Sequence, residues 1–156
     1  MKNMTPGQMW DAYGEKIGKE NLEGKSYTAW HFCNNEEDAD YLYPLVLSGQ
    51  KRATASSLWV YEKEGEPVPK PGDLSIILDW AGNAQCIIKT TQVDIVPYEE
   101  VTEEFAAIEG EGDGSLAYWR RARDTFFREE CGCIGRDFTE EMPVICEQFE
   151  VVYKPE

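Results

Sequence analysis

The run from Leu74 to Val96 reads LSIILDWAGNAQCIIKTTQVDIV. Two stretches rich in Ile, Val and Thr, Leu74 to Trp80 and Ala84 to Val96, flank Ala81 to Asn83, a grouping that predicts a β-hairpin with a long second strand. Just upstream, Glu62 to Pro71 holds Pro67, Pro69 and Pro71, and Pro71-Gly72 starts a turn, so this segment is expected to be a surface loop. Further out, Met142 to Lys154 alternates apolar residues and predicts the last strand. Ser26 to Cys33 is aromatic and β-compatible, is closed by Asn34-Asn35, and reads as another strand. After a turn beginning at Lys51, Ala53 to Tyr61 fits either a strand or a broken helix.

Between these lie helices. Thr5-Pro6 supplies an N-cap and a first-turn proline, and Met9, Trp10, Tyr13 and Ile17 follow at helical spacing up to Gly18. Acidic Glu36 to Asp40 opens a second helix, whose Tyr41, Leu42, Leu45 and Val46 pack inward and which ends at Ser48-Gly49; Pro44 opposes it. Glu99 to Ala107 reads as helical, Gly110 to Gly114 as a flexible acidic loop, and Ser115 to Glu130 as a long helix. With no internal repeat and no linker, the 156 residues are expected to form a single α+β domain, residues 1-156, built on a sheet or barrel.

The formal net charge of -15 repels a polyanion over most of the surface, which disfavours tight nonspecific nucleic-acid binding. The exception is Leu116 to Arg128, where Arg120, Arg121, Arg123 and Arg128 against Asp124 give a local +3, either a solvated helix face or a phosphate site. No run approaches the roughly 20 apolar residues of a membrane span, and Met1 to Trp10 lacks a signal peptide's apolar stretch, so a cytoplasmic location is expected. Cys33, Cys86, Cys131, Cys133 and Cys146 are odd in number and lack C-x-x-C spacing, which predicts reduced thiols. There is no P-loop, no G-x-G-x-x-G and no G-x-S-x-G, which argues against nucleotide hydrolysis, redox chemistry and ordinary esterase action.

Four segments in order carry a resemblance: Leu45 to Thr54 (LVLSGQKRAT), Val68 to Leu78 (VPKPGDLSIIL), Val101 to Leu116 (VTEEFAAIEGEGDGSL) and Trp119 to Glu129. From about Glu36 onward the chain resembles the ASCH domain family, with a helix over about residues 4-18 outside the core motif. The resemblance implies a PUA-like β-barrel with flanking helices, and RNA-linked functions. It implies a cleft lined by the G-x-K-x-x-T turn, here Gly49, Lys51 and Thr54, with Arg52 beside it. Characterised relatives include small amidohydrolases that deacetylate 4-acetylcytidine and members reported to cleave RNA. By match to the amidohydrolase motif, Lys51 corresponds to its lysine and Thr54 to its threonine nucleophile, while its catalytic glutamate falls at Glu109 or Glu111. The expected partner is a nucleoside or RNA fragment. The alternatives are an RNA-binding module without catalysis, contacting its ligand through Gly49, Arg52, Asp113, Ser115, Arg120 and Arg121, and a ribonuclease.

Amide hydrolysis needs a nucleophile, a group that takes its proton and later protonates the leaving amine, and donors for the oxyanion. A three-residue separation on a turn lets the Lys51 ammonium and the Thr54 hydroxyl approach, and partial burial would make Lys51 the base that moves protons, with Glu109 or Glu111 positioning. The plain alternative is a surface lysine and a threonine satisfying backbone at a strand start. Glu109, Glu111 and Asp113 at alternate positions look like the opening of a calcium loop, but Arg120 stands where the bidentate glutamate belongs, so that reading is rejected. A blander account makes Asp113 or Ser115 the N-cap of the arginine-rich helix, while the interspersed glycines permit close backbone approach to a ligand. His31 between Trp30 and Phe32 is expected to be structural, and Cys131-Gly132-Cys133 lacks zinc spacing, so neither metal nor cofactor is implied. Of Trp59, Tyr61, Trp80, Tyr118 and Trp119, at most one is expected to stack a base.

Overall fold

The structure, a computed structural model, describes residues 3–33 and 35–155. Five strands and five α-helices follow in the order α1 (Pro6–Ile17), β1 (Thr28–Trp30), α2 (Glu36–Ser48), β2 (Ala53–Ser57), α3 (Leu58–Glu64), β3 (Leu74–Leu78), β4 (Ala84–Pro97), α4 (Glu103–Glu109), α5 (Leu116–Cys133) and β5 (Pro143–Tyr153). The strand order is β1-β3-β4-β5-β2, with β1 parallel to β3, and with β3–β4 and β2–β5 antiparallel. This is the expected α+β, PUA-like architecture.

The chain divides into two compact units, the first formed by Met1–Gly49, Gly72–Lys89 and Glu150–Glu156. Here the capping box predicted by Thr5 is complete, Thr5 and Gln8 bonding each other's backbone N–H, and α1 buries Met9 and Tyr13 against Leu74, Ile76 and Ile87. The strand expected over Ser26 to Cys33 is only three residues long, Thr28–Trp30, and beyond it Cys33 takes a left-handed φ of 59° that no extended strand could continue through. Of the expected Asn34-Asn35 turn, Asn34 lies outside the described residues, while Asn35 caps α2 by accepting from the Asp38 N–H at 2.8 Å. Pro44 does not break α2: it lies on the exposed side of a helix that runs unbroken from Glu36 to Ser48. His31 packs its ring 4.8 Å from that of Trp80, a structural placement.

The second unit comprises Gln50–Pro71 and Thr90–Phe149. The ambiguous Ala53 to Tyr61 stretch is both of its alternatives in succession, β2 passing at Ser57 directly into α3. That helix continues to Glu64, three residues into the expected loop, until Gly65 caps it at φ 69°. The helix expected from Glu99 is a 3-10 turn over Tyr98–Glu100, and the α-helix starts only after Thr102, whose hydroxyl accepts from the Phe105 N–H. On α5, Trp119, Arg123, Phe127 and Cys131 recur every four residues as a buried stripe. Its apolar members pack with Ala53 and Ala55 of β2, Phe105 and Ala106 of α4, and Val144 and Cys146 of β5.

Candidate functional site

Gly49 ends α2 in the left-handed conformation, φ 85°, and Lys51 follows two residues later with its side chain fully buried. Burying an ammonium without partners is prohibitive, so its N–H groups must find acceptors. They do: Lys51 Nζ donates to the Ala53 carbonyl at 2.8 Å, to Glu109 Oε2 at 3.0 Å and to Glu111 Oε2 at 2.8 Å. Arg123 Nη2, from the buried stripe of α5, donates to the same two carboxylates, Glu111 at 2.7 Å. Trp119 Nε1 donates to Glu109 Oε1 at 2.5 Å. Two cations thus face two carboxylates in a cluster whose side chains are 0 to 12% exposed, Glu111 being the most accessible.

The two carboxylates differ. Burial alone would raise Glu109, but Arg123 and then Lys51 outweigh it and hold the carboxyl well below the usual range. Glu111 is raised, first by burial and then by the adjacent Glu109, against the pull of the same two cations. The loop that carries Glu111 is pressed close. A Cβ at Gly110, φ 70°, would stand 2.0 Å from the Gln50 carbonyl oxygen, and one at Gly112 would meet the Tyr118 ring at 2.4 Å. These glycines therefore serve approach of backbone to the protein itself. Gln50 Nε2 also donates to the Gly110 carbonyl at 2.8 Å.

Thr54 sits one residue beyond the carbonyl that Lys51 holds. Ala53 and Ala55 enter the helix-packed core, so strand alternation carries Thr54 and Ser56 on the opposite face of β2. Thr54, 8% exposed, pairs across the ladder with Glu147, 5% exposed, and Glu147 Oε2 accepts the Thr90 hydroxyl at 2.6 Å. Lys51, Glu109 and Glu111 are brought together directly. Thr54 is joined to them through the Ala53 backbone, since Ala53 O and Glu111 Oε2 each lie 2.8 Å from one ammonium.

The other candidates spread out. Arg52 is exposed, its backbone N–H on the Ile108 carbonyl and its carbonyl on the Phe149 N–H. Ser115 is the N-cap of α5, accepting from the Tyr118 N–H, and Asp113 Oδ1 accepts from the Ser115 N–H, so both cap candidates share the task. The arginine patch divides: Arg123 is buried in the cluster, Arg128 pairs with Asp124 at 2.6 Å, and Arg120 and Arg121 are exposed. Trp59 stacks under Arg136 at 3.7 Å, and buried Trp119 is a hydrogen-bond donor of the cluster rather than a stacking surface. From sequence Arg123 belongs only to the arginine patch, as a solvated or phosphate-facing residue, and Glu147 carries no site expectation. The four-residue spacing from Trp119 through Arg123 to Phe127 was the available signal for the first; the second depends on a pairing register that local sequence does not show.

Among the described residues, no group of three His, Cys, Asp or Glu side chains is placed to hold a metal, and no helix is long and apolar enough to cross a membrane. Burial pushes the Cys86 and Cys146 thiols up to about 12, and all five cysteines are free thiols. A cleft of about 520 Å³ at Trp10, Leu22 and Glu23 contains none of the candidate residues.

The strand order, the helix-covered β2 and the buried lysine–glutamate–arginine cluster define a PUA-like domain with a charged site at the G-x-K-x-x-T turn. The ASCH domain profile matches residues 28–153, and the chain belongs to that family, which is RNA-associated. It is similar to the crystal structure of an ASCH domain from Lactobacillus crispatus JV V101, with 40% identity over 93% of this chain and 92% of that one, at a TM-score of 0.88. A protein from Enterococcus faecalis V583 is 37% identical over 91% and 86% of the two chains, with a TM-score of 0.81. A hypothetical protein of known structure, 20% identical with a TM-score of 0.52, shares the fold alone. No curated protein matches this chain. The helix α1 precedes the matched segment.

Proposed function

We propose that the protein is an amidohydrolase acting on the acylated exocyclic amine of a cytidine-type nucleoside, with Thr54 as nucleophile. The observation that carries the reading is the Lys51 ammonium, which ties Glu109 and Glu111 to the carbonyl of Ala53, the residue before Thr54. Four buried charges are expensive to keep and add little net stability over an apolar core, so a cluster of this kind at a strand entry is better accounted for by what it positions. Here it fixes the backbone that presents Thr54, and Arg123 fixes the carboxylates in turn. Thr54 Oγ1 attacks the acyl carbon, the bond to the exocyclic nitrogen breaks, and water then hydrolyses the acyl-threonine. A neutral nucleoside also escapes the repulsion that a charge of -15 exerts on a long RNA, which favours this reading over a ribonuclease.

The test is turnover of 4-acetylcytidine to cytidine and acetate by wild type and Thr54→Ala. Wild type is expected to turn over, and the variant to lose on the order of a thousandfold in kcat because no hydroxyl remains to carry the acyl group. Full activity of Thr54→Ala removes the nucleophile assignment. Absence of wild-type turnover returns the protein to an RNA-binding module.

A further inference from the structure

Thr54 cannot attack an amide while it keeps its proton, and the nitrogens of the cluster are already committed as donors. The Lys51 N–H groups point at Ala53 O, Glu109 and Glu111. The two Oε2 atoms of those glutamates in turn receive Lys51 and Arg123, and Glu109 Oε1 receives the Trp119 indole. A different carboxylate stands on Thr54's own face of the sheet. Glu147 of β5 is the direct antiparallel partner of Thr54, and directly opposed residues hold their Cβ atoms about 4.5–5.5 Å apart. A glutamate covers that span to a threonine hydroxyl, either directly or through one water. Glu147 is fixed as a base should be: it is 5% exposed, and the hydroxyl of Thr90, itself 1% exposed, donates to Oε2 at 2.6 Å and sets the carboxylate's rotation. Ser56, two residues along β2 on the same face, hydrogen-bonds Tyr61, and Glu147 bears electrostatically on that phenol, so the polar face extends past the threonine.

We propose that Glu147 is the general base and acid of the reaction, shuttling the proton of Thr54, with Thr90 as its positioning residue. The proposal rests on the amidohydrolase reading. In the first half, the proton of Thr54 Oγ1 passes to Glu147 as the oxygen bonds to the acyl carbon. The carbon–nitrogen bond then breaks, and Glu147 returns the proton to the departing exocyclic nitrogen, which leaves as the amine of cytidine. In the second half, water gives one proton to Glu147 while its oxygen bonds to the acyl carbon. The bond from Thr54 Oγ1 breaks, Oγ1 recovers the proton from Glu147, and the acid product leaves and ionises.

The experiment compares wild type, Glu147→Gln and Thr90→Val on 4-acetylcytidine across a range of pH, with a melting curve for each. Glu147→Gln, isosteric but unable to take a proton, is expected to lose a hundredfold or more in kcat while KM changes little, in keeping with the 10²–10⁴-fold weight of general base catalysis. The acid-side fall of the wild-type profile is expected to move to higher pH in Thr90→Val, since a hydrogen bond to the charged carboxylate is lost. If wild type turns over and Glu147→Gln keeps kcat within about threefold, or loses only through KM, Glu147 is not the base and the amidohydrolase reading stands. Should Glu147→Gln fail to fold, an acid limb that stays in place in Thr90→Val overturns the proposal by itself. If wild type does not turn over, the underlying reading has failed, and the proposal with it.

Discussion

Trp119 Nε1 donates to Glu109 Oε1 at 2.5 Å, and four residues further along the same helix Arg123 reaches the carboxylate's other oxygen. One helical turn of α5 thus fixes both oxygens of a fully buried glutamate, which leaves Lys51 to complete the neutralisation from β2's entry. Trp119→Phe keeps the ring and deletes only the donor. Hydrogen bonds to charged groups contribute about 1.5–3 kcal/mol, so a loss of that order is expected in urea unfolding, with the m-value unchanged. A loss below about 0.5 kcal/mol would show that water replaces the indole at no cost.

Lys51→Met leaves two buried carboxylates against one guanidinium. Removing one partner of a buried ion pair costs about 3–5 kcal/mol, and a loss of this size in denaturant unfolding is expected. Lys51→Arg preserves the charge, yet a planar fork cannot aim its N–H groups at Ala53 O, Glu109 and Glu111 from the point where a compact ammonium sits. Turnover and melting temperature should both drop. Preserved activity in Lys51→Arg would mean that position 51 supplies charge alone.

Acid and alkali act on this protein through glutamates of opposite sign. Glu109 has a lowered folded pKa, so its contribution is full above the ordinary value of 4.5 and is lost as the pH falls toward the folded value. Glu130 runs the other way: burial, with a smaller push from Glu64, raises it to about 7, so its contribution is full below 4.5 and is lost as the pH rises through about 7. Raised Glu111 adds in the same sense as Glu130. Between pH 4.5 and 7 the melting temperature of Glu130→Gln should therefore fall less steeply than that of wild type. Parallel curves would place Glu130 in an unperturbed, solvated state.

Of the four arginines of α5, only Arg120 and Arg121 are exposed without a carboxylate of the cluster or Asp124 bonded to them. The double reversal Arg120→Glu, Arg121→Glu should leave melting within about 0.5 kcal/mol of wild type and 4-acetylcytidine turnover within about twofold. An RNA-binding module would respond differently, losing affinity for an RNA oligonucleotide and about one unit of salt slope for each phosphate contact removed. Titration of RNA at several salt concentrations separates the two.

The β-hairpin was legible in Leu74 to Val96 because stretches rich in β-branched residues on either side of a turn are local signals, and α1 because Thr5 and Pro6 mark a helix start locally. Ala53 to Tyr61 fitted two templates because the chain changes from strand to helix inside it, at Ser57. In the site, the Lys51 and Glu109/Glu111 motifs pointed to groups that do meet. Counting Arg123 with Arg120 and Arg121 as a surface patch missed it, because charge was read by sequence proximity where the helical period separates buried 123 from exposed 120 and 121. Glu147 was out of reach for another reason. Its place opposite Thr54 is set by strands more than eighty residues apart, and no local pattern encodes that register.

Strand β2 stands at the end of the strand order, where a chain ordinarily presents unpaired backbone to any passing strand. The Lys51 ammonium occupies the Ala53 carbonyl there, held in place by two carboxylates that cannot follow it into solvent cheaply. An incoming strand would have to displace a buried cation to bond at that position. The charge cluster therefore also works as a guard on the sheet's margin: beside the helices that pack on β2, it leaves the Ala53 carbonyl already engaged and offers an added strand no acceptor there.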